Sequence, residues 1–189
     1  MKIYTKKGDD GTTGLLYGAR VAKDANVIEL NGAVDEAQAQ LGVARSLCER
    51  ESELDAILIG LEADLWVLMA EVATPPEDRS KLVAGKSLVT DEMVARLEAA
   101  IDAAMARFTM PNAFVVPGSN PLAASLDVAR TVVRRSERTA APFGRAIPES
   151  HVGKYLNRLS DLIWSLARWQ EDVHLLARDV RPAPPPRGA

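Results

Sequence analysis

An all-α fold, a bundle of five helices, is predicted by three features of this sequence. Hydrophobic residues make up 47 % of the chain but aromatics only 5 %, with Ala and Leu dominant, and strands favour the β-branched and aromatic residues that are scarce here. Apolar residues recur at three- and four-residue spacing along most of the chain. The links between the periodic stretches are mostly short, as in a bundle. At 189 residues the chain is expected to be one domain with a real core.

The periodicity gives the elements in order. Leu30, Val34, Ala37, Leu41, Ala44 and Cys48 predict a first helix from about Ile28 to Arg50. Leu54, Leu58, Leu61, Leu65, Leu68 and Val72 predict a second, stopped by Pro75 and Pro76. The polar stretch to Val89 is expected to be a mobile connection. Thr90 reads as an N-cap, with Asp91 and Glu92 suited to the positive end of a third helix that uses Val94, Leu97, Ile101, Ala104 and Phe108. After the extended piece AFVVPGSNP, Pro121 opens a fourth helix to about Ala140. A fifth, from about Glu149 to Val173, carries Tyr155, Leu159, Leu162, Leu166 and Trp169 on one side. The organisation predicted is an N-terminal ligand-binding loop (1–27), the bundle (28–175) and a Pro-rich tail (176–189), RPAPPPRGA at its end, expected to be disordered.

Several function classes are set aside. A net charge of −3 argues against a general nucleic-acid or anionic-membrane surface. No run approaches a membrane span, and MKIYTKKGDD lacks the apolar centre of a signal peptide. The single cysteine, Cys48, fits a reducing cytoplasm and reads as a small core residue rather than a reactive thiol. A ferritin-like metal bundle is set aside on the expectation that no Glu-x-x-His pair is present.

Two regions carry chemistry. The stretch KKGDDGTTGLLYG holds four of the twelve glycines in thirteen residues. Gly8, Gly11 and Gly14 let backbone N–H groups approach a ligand, Thr5, Thr12 and Thr13 add hydroxyls, and Lys6, Lys7, Arg20 and Lys23 add positive charge: a phosphate cradle. Asp9 and Asp10 offer oxygens to a magnesium ion held with phosphates. The P-loop ending is missing, and a plain hairpin around the DDG turn is an equally good reading. On the fourth helix, Leu122, Leu126, Ala129, Val133 and Ala140 form an apolar stripe beside Asp127, Arg130, Arg134, Glu137 and Arg138. Arginine binds phosphate oxygens in a planar fork, although a solvated face of ion pairs explains the same pattern. On the fifth helix Asn157, Asp161, Trp164 and Arg168 share a face, which reads equally as a polar exterior. The residues alone lead to a nucleotide-binding helical bundle, or to a helical interaction protein with charged faces.

The order of these blocks resembles the PduO-type cobalamin adenosyltransferases. IYTKKGDDGTTGLLYGARVAKD resembles that family's nucleotide loop, NGAVDEAQAQLG its first-helix motif, FVVPGSNPLAASLDVARTVVRRSER its fourth-helix signature and YLNRLSDLIWSLAR its last helix, spanning Ile3 to Arg168. The resemblance implies a homotrimer with sites between subunits, transferring the 5′-deoxyadenosyl group of ATP to cob(I)alamin and releasing triphosphate. It places ATP against Thr5, Lys6, Lys7, Gly8, Asp9, Gly11, Thr12, Thr13, Gly14 and Lys23, with Mg²⁺ as cofactor. It gives Arg134 and Glu137 to triphosphate and nucleoside, with Arg135 and Arg138 adjacent, and Asn157 to ATP. It makes Asp35 and Arg130 a pair bridging two subunits, and sets Phe114 against the lower face of the corrin. Three positions depart from the family pattern: Lys7 where threonine is common, Ser119 for the second glycine of Pro-Gly-Gly, and Asp127 where histidine is frequent. His151 and His174 fall outside the matched sites and are expected on helix surfaces. A cobalamin reductase and a downstream B12-dependent enzyme are the partners implied. A carrier or sensor of adenosylcobalamin on the same fold is the alternative.

Overall fold

The computed structural model describes residues 4, 6–171 and 173–180; Thr5 and residues 181–189 of the Pro-rich tail lie outside the described residues. Among them are five α-helices: α1 (Asn26–Ser46), α2 (Glu53–Val72), α3 (Asp91–Met105), α4 (Pro121–Ala146) and α5 (Val152–Trp169). Helix α4 is central and packs on α1 and α5, while α2 lies on α1 and α3 on α5. The core is one continuous cluster in which Leu30, Leu41, Leu58, Leu65, Leu126, Leu156 and Leu166 are sealed from solvent. No described helix is long and apolar enough to cross a membrane.

Side-chain caps set where three helices begin. Ser52 accepts from the Asp55 N–H at 3.2 Å, Thr90 from Met93 at 3.3 Å and Asn120 from Ala123 at 2.8 Å, each satisfying a donor with no partner inside its own helix. The Asn120 amide also donates to the Gln170 carbonyl at 2.7 Å, tying the start of α4 to the end of α5.

Three helix ends differ from expectation. Helix α1 stops at Ser46 rather than Arg50, because a tight turn intervenes: Glu51, at a φ of 61°, donates its N–H to Asp55, which also pairs with Arg45 at 2.7 Å. Helix α4 runs past Ala140 through Pro142. An interior proline costs about 3 kcal/mol, and the continuation places Phe143 in the core. Helix α5 spans Val152 to Trp169 rather than Glu149 to Val173.

The connection 75–89, expected to be mobile, is instead tied down by a buried acid. Glu71 is fully buried in the last turn of α2. It accepts from Arg79 at 3.0 Å, from the Ser150 hydroxyl at 2.6 Å and from the Val89 N–H at 2.7 Å. One carboxylate thus joins α2, the short 3-10 helix Pro76–Lys81, the approach to α3 and the approach to α5.

The N-terminal loop folds as a small antiparallel hairpin, β1 (Thr12–Gly14) with β2 (Arg20–Ala22), in the register Thr12 to Ala22, Thr13 to Val21 and Gly14 to Arg20. It docks on the same end of the bundle: Leu16 donates to the Ala73 carbonyl at 2.9 Å, and Lys81 lies 4.6 Å from the Tyr17 ring centre. At the other end, the segment after α5 turns back, with Leu176 bridged antiparallel to Val115 before a 3-10 turn at Ala177–Asp179. The first residues assigned to the tail therefore belong to the folded body.

Removing the Glu71 carboxylate leaves Arg79 and two donors without their partner. Glu71→Ala is expected to lower stability by about 3 kcal/mol, read by urea denaturation; a loss no larger than that of an exposed control such as Glu77→Ala would contradict the tie.

Candidate functional site

The loop's geometry begins with close approach. A Cβ on Gly8 would lie 3.0 Å from the Thr12 carbonyl and 3.3 Å from the end of the Lys23 side chain, so only glycine fits there without a shift. Gly11 holds a φ of 81°, the left-handed conformation a side chain disfavours. The Asp10 carboxylate accepts from the Thr12 N–H at 2.9 Å and from its hydroxyl at 2.8 Å. Arg20 in turn donates to the Thr12 oxygen and, at 2.7 Å, to the Lys7 carbonyl. The hydrogen bonds to the Thr12 hydroxyl and N–H hold the Asp10 carboxyl below its usual 3.8.

These bonds correct part of the cradle. The Gly11 N–H is used by Gly8 (3.2 Å) and the Thr12 N–H by Asp10, so neither is free for phosphate. Asp10 caps the turn, whereas the exposed Asp9 carboxylate makes no hydrogen bond or ion pair with the described residues. The hairpin reading holds, and it leaves the Lys6 and Lys23 side chains exposed beside the Gly8 backbone.

Along α4 the charged stripe divides. Toward its C-terminal half, Glu137 accepts from the Asn157 amide at 2.8 Å, joining α4 to α5. Arg158 donates to the Asn157 oxygen at 2.6 Å and to Glu98 at 2.9 Å, which fixes which way the amide faces. Arg134 is exposed and makes no ion pair with the described residues. Arg138 folds back to the Arg134 carbonyl at 2.8 Å, and Arg135 is paired with Glu36 of α1. The Asn26 amide, at the exit of the hairpin, reaches the Thr139 carbonyl at 3.4 Å, so the loop and the Arg134–Thr139 stretch occupy one end of the bundle.

Toward the N-terminal half of α4 the residues form another surface. A cavity of about 650 Å³ is lined by Met110, Phe114, Asp127, Arg130, Trp164 and Arg168, among others. Phe114 stands at its edge with 89 % of its surface exposed. Arg130 pairs with Asp127 at 3.2 Å within the chain; Asp35 is exposed and forms no pair with it here. From Asp127 to Glu137 the helix rises about 15 Å, so the cavity and the loop end lie along one stripe.

Two expectations fail at this cavity. The α5 face containing Arg168 is not a polar exterior: Arg168 is 1 % exposed. Its Nη2 lies 2.5 Å from Asp127 and 3.0 Å from Glu171, and its Nε stands 2.9 Å from the second Glu171 oxygen. His174 is not a surface residue either. Its Nδ1 is 2.8 Å from Glu171, and its ring meets Phe108 edge-on with centres 5.8 Å apart. Glu171 and His174 also overturn the expectation that no Glu-x-x-His spacing occurs, and that spacing was the signal available in the sequence. They lie beyond the end of α5 and face Arg168. Among the described residues no group of three His, Cys, Asp or Glu is placed to hold a metal. Asp161 is exposed and orients no arginine. Cys48 is half-buried against the core, and desolvation pushes its thiol up, away from the reactive range.

Comparison with known proteins gives one consistent result. Residues 3–170 match the family described as cobalamin adenosyltransferase. The chain is 40 % identical over 171 residues to a corrinoid adenosyltransferase of Citrobacter freundii, covering 90 % of this chain and 95 % of that one. It is 35 % identical over 173 residues to one of Bacillus subtilis, covering 89 % and 86 %. A phenylalanine-to-alanine variant of a PduO-type ATP:corrinoid adenosyltransferase from Lactobacillus reuteri, solved with cobalamin and ATP, superposes with a TM-score of 0.80 at 28 % identity over 94 % of this chain and all of that one. An arginine-to-lysine variant from the same organism, solved with ATP, gives 0.74 at 28 % identity over 88 % and 93 %.

The depressed Asp10 carboxyl has a consequence with a definite sign. Its contribution to the hairpin is complete above the ordinary value of 3.8 and is lost as pH falls through the lower folded value. An NMR titration of Asp10 is expected to give a midpoint under 3.8, rising toward the ordinary value in Thr12→Val, which removes the hydroxyl but keeps the N–H bond; a wild-type midpoint at or above 3.8 would contradict the bonding described.

Proposed function

The chain belongs to the cobalamin adenosyltransferase family and is a corrinoid adenosyltransferase, and we propose that it joins ATP to a reduced corrinoid using the two ends of the α4 stripe. The observation that carries the assignment of roles is Phe114. The lower face of the corrin ring is the apolar surface it meets.

In this reading the cobalt(I) electron pair attacks C5′ of ATP. A cobalt–carbon bond forms, the C5′–oxygen bond breaks, and the electron pair leaves with triphosphate. The protein supplies no nucleophile; it positions C5′ and stabilises charge growing on the leaving group. Arg134 suits that role because it is exposed and makes no ion pair among the described residues. Lys6, Lys7, Lys23 and the Gly8 and Gly14 backbone hold the phosphates, with Thr13 beside them, and Arg138 adds charge. Glu137 and Asn157, already bonded to each other, hold the nucleoside. Mg²⁺ would ride on the ATP phosphates, with Asp9 the loop carboxylate open to it. Phe114 excludes a lower ligand from cobalt(II), easing its reduction by an external one-electron donor.

A homotrimer with sites between subunits fits the same geometry. Asp35 is exposed and makes no ion pair among the described residues, while Arg130 reaches the surface from beside the cavity, so a neighbouring copy's Asp35 is the partner proposed for Arg130. The reaction is proposed to run in the cytoplasm, where a lone thiol such as Cys48 stays reduced.

Two variants test the roles. Arg134→Ala is expected to lose about 10²-fold or more in turnover, the size of one leaving-group contact, while its circular dichroism and melting stay those of the parent; near-parental turnover would remove the phosphate assignment. Phe114→Ala is expected to slow turnover that starts from cobalt(II) far more than it weakens ATP binding, and equal rates for variant and parent would remove the lower-face assignment. Release of triphosphate in a single turnover with ATP, magnesium and chemically reduced cobalamin separates the enzyme from a carrier, which would bind without releasing it.

A further inference from the structure

The side chain of Phe114 touches too little to be held by packing, so its position must come from its backbone. That backbone is hydrogen-bonded on both sides to one short segment. The Phe114 carbonyl accepts from the Ala177 N–H at 2.8 Å, and the Val116 N–H donates to the Leu175 carbonyl at 2.8 Å, around the antiparallel bridge between Val115 and Leu176. The segment is anchored in turn: His174 bonds Glu171, Glu171 holds the buried Arg168, and Arg168 holds Asp127, the partner of Arg130. The charged wall of the cavity and its aromatic lip are therefore one connected structure.

We propose that residues 174–177 form a brace that sets the position of Phe114, with Arg168, Glu171 and His174 as positioning residues for the step in which the lower ligand is excluded from cobalt. The proposal rests on the corrinoid reading of Phe114 given above. Excluding a ligand as small as water requires the ring to stay within a fraction of its own width of the metal's lower face. A ring carried on an irregular link between α3 and α4 does not meet that requirement unless its backbone is fixed elsewhere. The contacts of Arg168 with Asp127 and Glu171, and of Glu171 with His174, are buried or partly buried, where a hydrogen bond is strengthened and a missing partner is costly. Asp127 gains a role by the same geometry: it is the carboxylate to which Arg168 is tied, and a neutral side chain there would leave a buried guanidinium facing Glu171 alone.

The test removes a single donor. Leu176 is extended, at φ −84° and ψ 139°, and Ala177 opens a 3-10 turn, so a proline at 177 fits the backbone and deletes only the N–H that bonds Phe114. In Ala177→Pro and in His174→Ala, amide exchange at Val116 is expected to accelerate about fivefold, the scale of one net hydrogen bond. Turnover starting from cobalt(II) with reductant should fall by about the same factor, while turnover from chemically reduced cobalt(I) and the Kd for ATP stay within about twofold of the parent. Ala177→Ser, which keeps the N–H, and His174→Asn, which keeps a donor toward Glu171, should restore both readouts. Unchanged Val116 exchange in Ala177→Pro would overturn the brace itself. Faster exchange with a parental cobalt(II) rate, or an equal fall in the cobalt(II) and cobalt(I) rates, would overturn its positioning role. A parental cobalt(II) rate in Phe114→Ala would instead overturn the reading beneath the proposal, and the proposal with it.

Discussion

A guanidinium sealed between two carboxylates constrains this molecule more than any other contact. Arg168 has almost no solvent exposure, so its charge must be met inside the protein, and Asp127 and Glu171 meet it from α4 and from the segment after α5. Breaking such an arrangement by removing one partner is far more damaging than the net worth of the pair suggests, because a buried charge is left alone. The consequence is geometric. The end of α5 and the middle of α4 cannot slide relative to one another without exposing that imbalance. Everything hung on them inherits their register: Arg130 through Asp127, His174 through Glu171, and Trp164, whose ring lies 5.6 Å from the guanidinium.

Helix α4 then acts as a ruler. Its charged stripe carries, within about three turns, the residues beside the Phe114 cavity and those beside the N-terminal loop. A helix is the element suited to such a task, because its hydrogen bonds are internal and its length does not depend on its neighbours. The caps at both ends reinforce this. Asn120 fixes where the ruler starts and ties it to Gln170, while Asn157 crosses from α5 to Glu137 near its far half.

The opening loop shows a different economy. Its glycines serve the fold of the hairpin as much as any ligand: Gly8 because the Thr12 carbonyl passes too close for a side chain, Gly11 because the chain turns with a positive φ. Polar groups that look available in the sequence are already engaged, Asp10 with Thr12 and Arg20 with Thr12 and the Lys7 carbonyl. What remains outward is the positive charge of the lysines. A loop already tied by these hydrogen bonds is preorganised in part, which lowers the cost of ordering it further.

The five helices, the cap at Thr90, the proline that opens the fourth helix at Pro121, the apolar faces and the loop's turn chemistry were determined by the sequence alone, because all of them depend on residues within a turn or two of one another. Glu137 and Asn157 were legible as well, each on the polar flank of a helix, and the structure brings them into contact. Burial across helices was not legible. Nothing local distinguishes Arg168, which the tertiary fold buries, from Arg134, which it leaves exposed; both stand on a charged face at the same kind of spacing. Glu71 reads as the last charge of a helix, yet the fold makes it a tie between four segments. His174 and Glu171 follow the end of α5; their pairing with each other and with Arg168 is local in spacing, but only the packed fold buries it. The cost of burying a charge is decided by what lies across the gap, and that is set when the helices pack, not by the residues on either side in the chain.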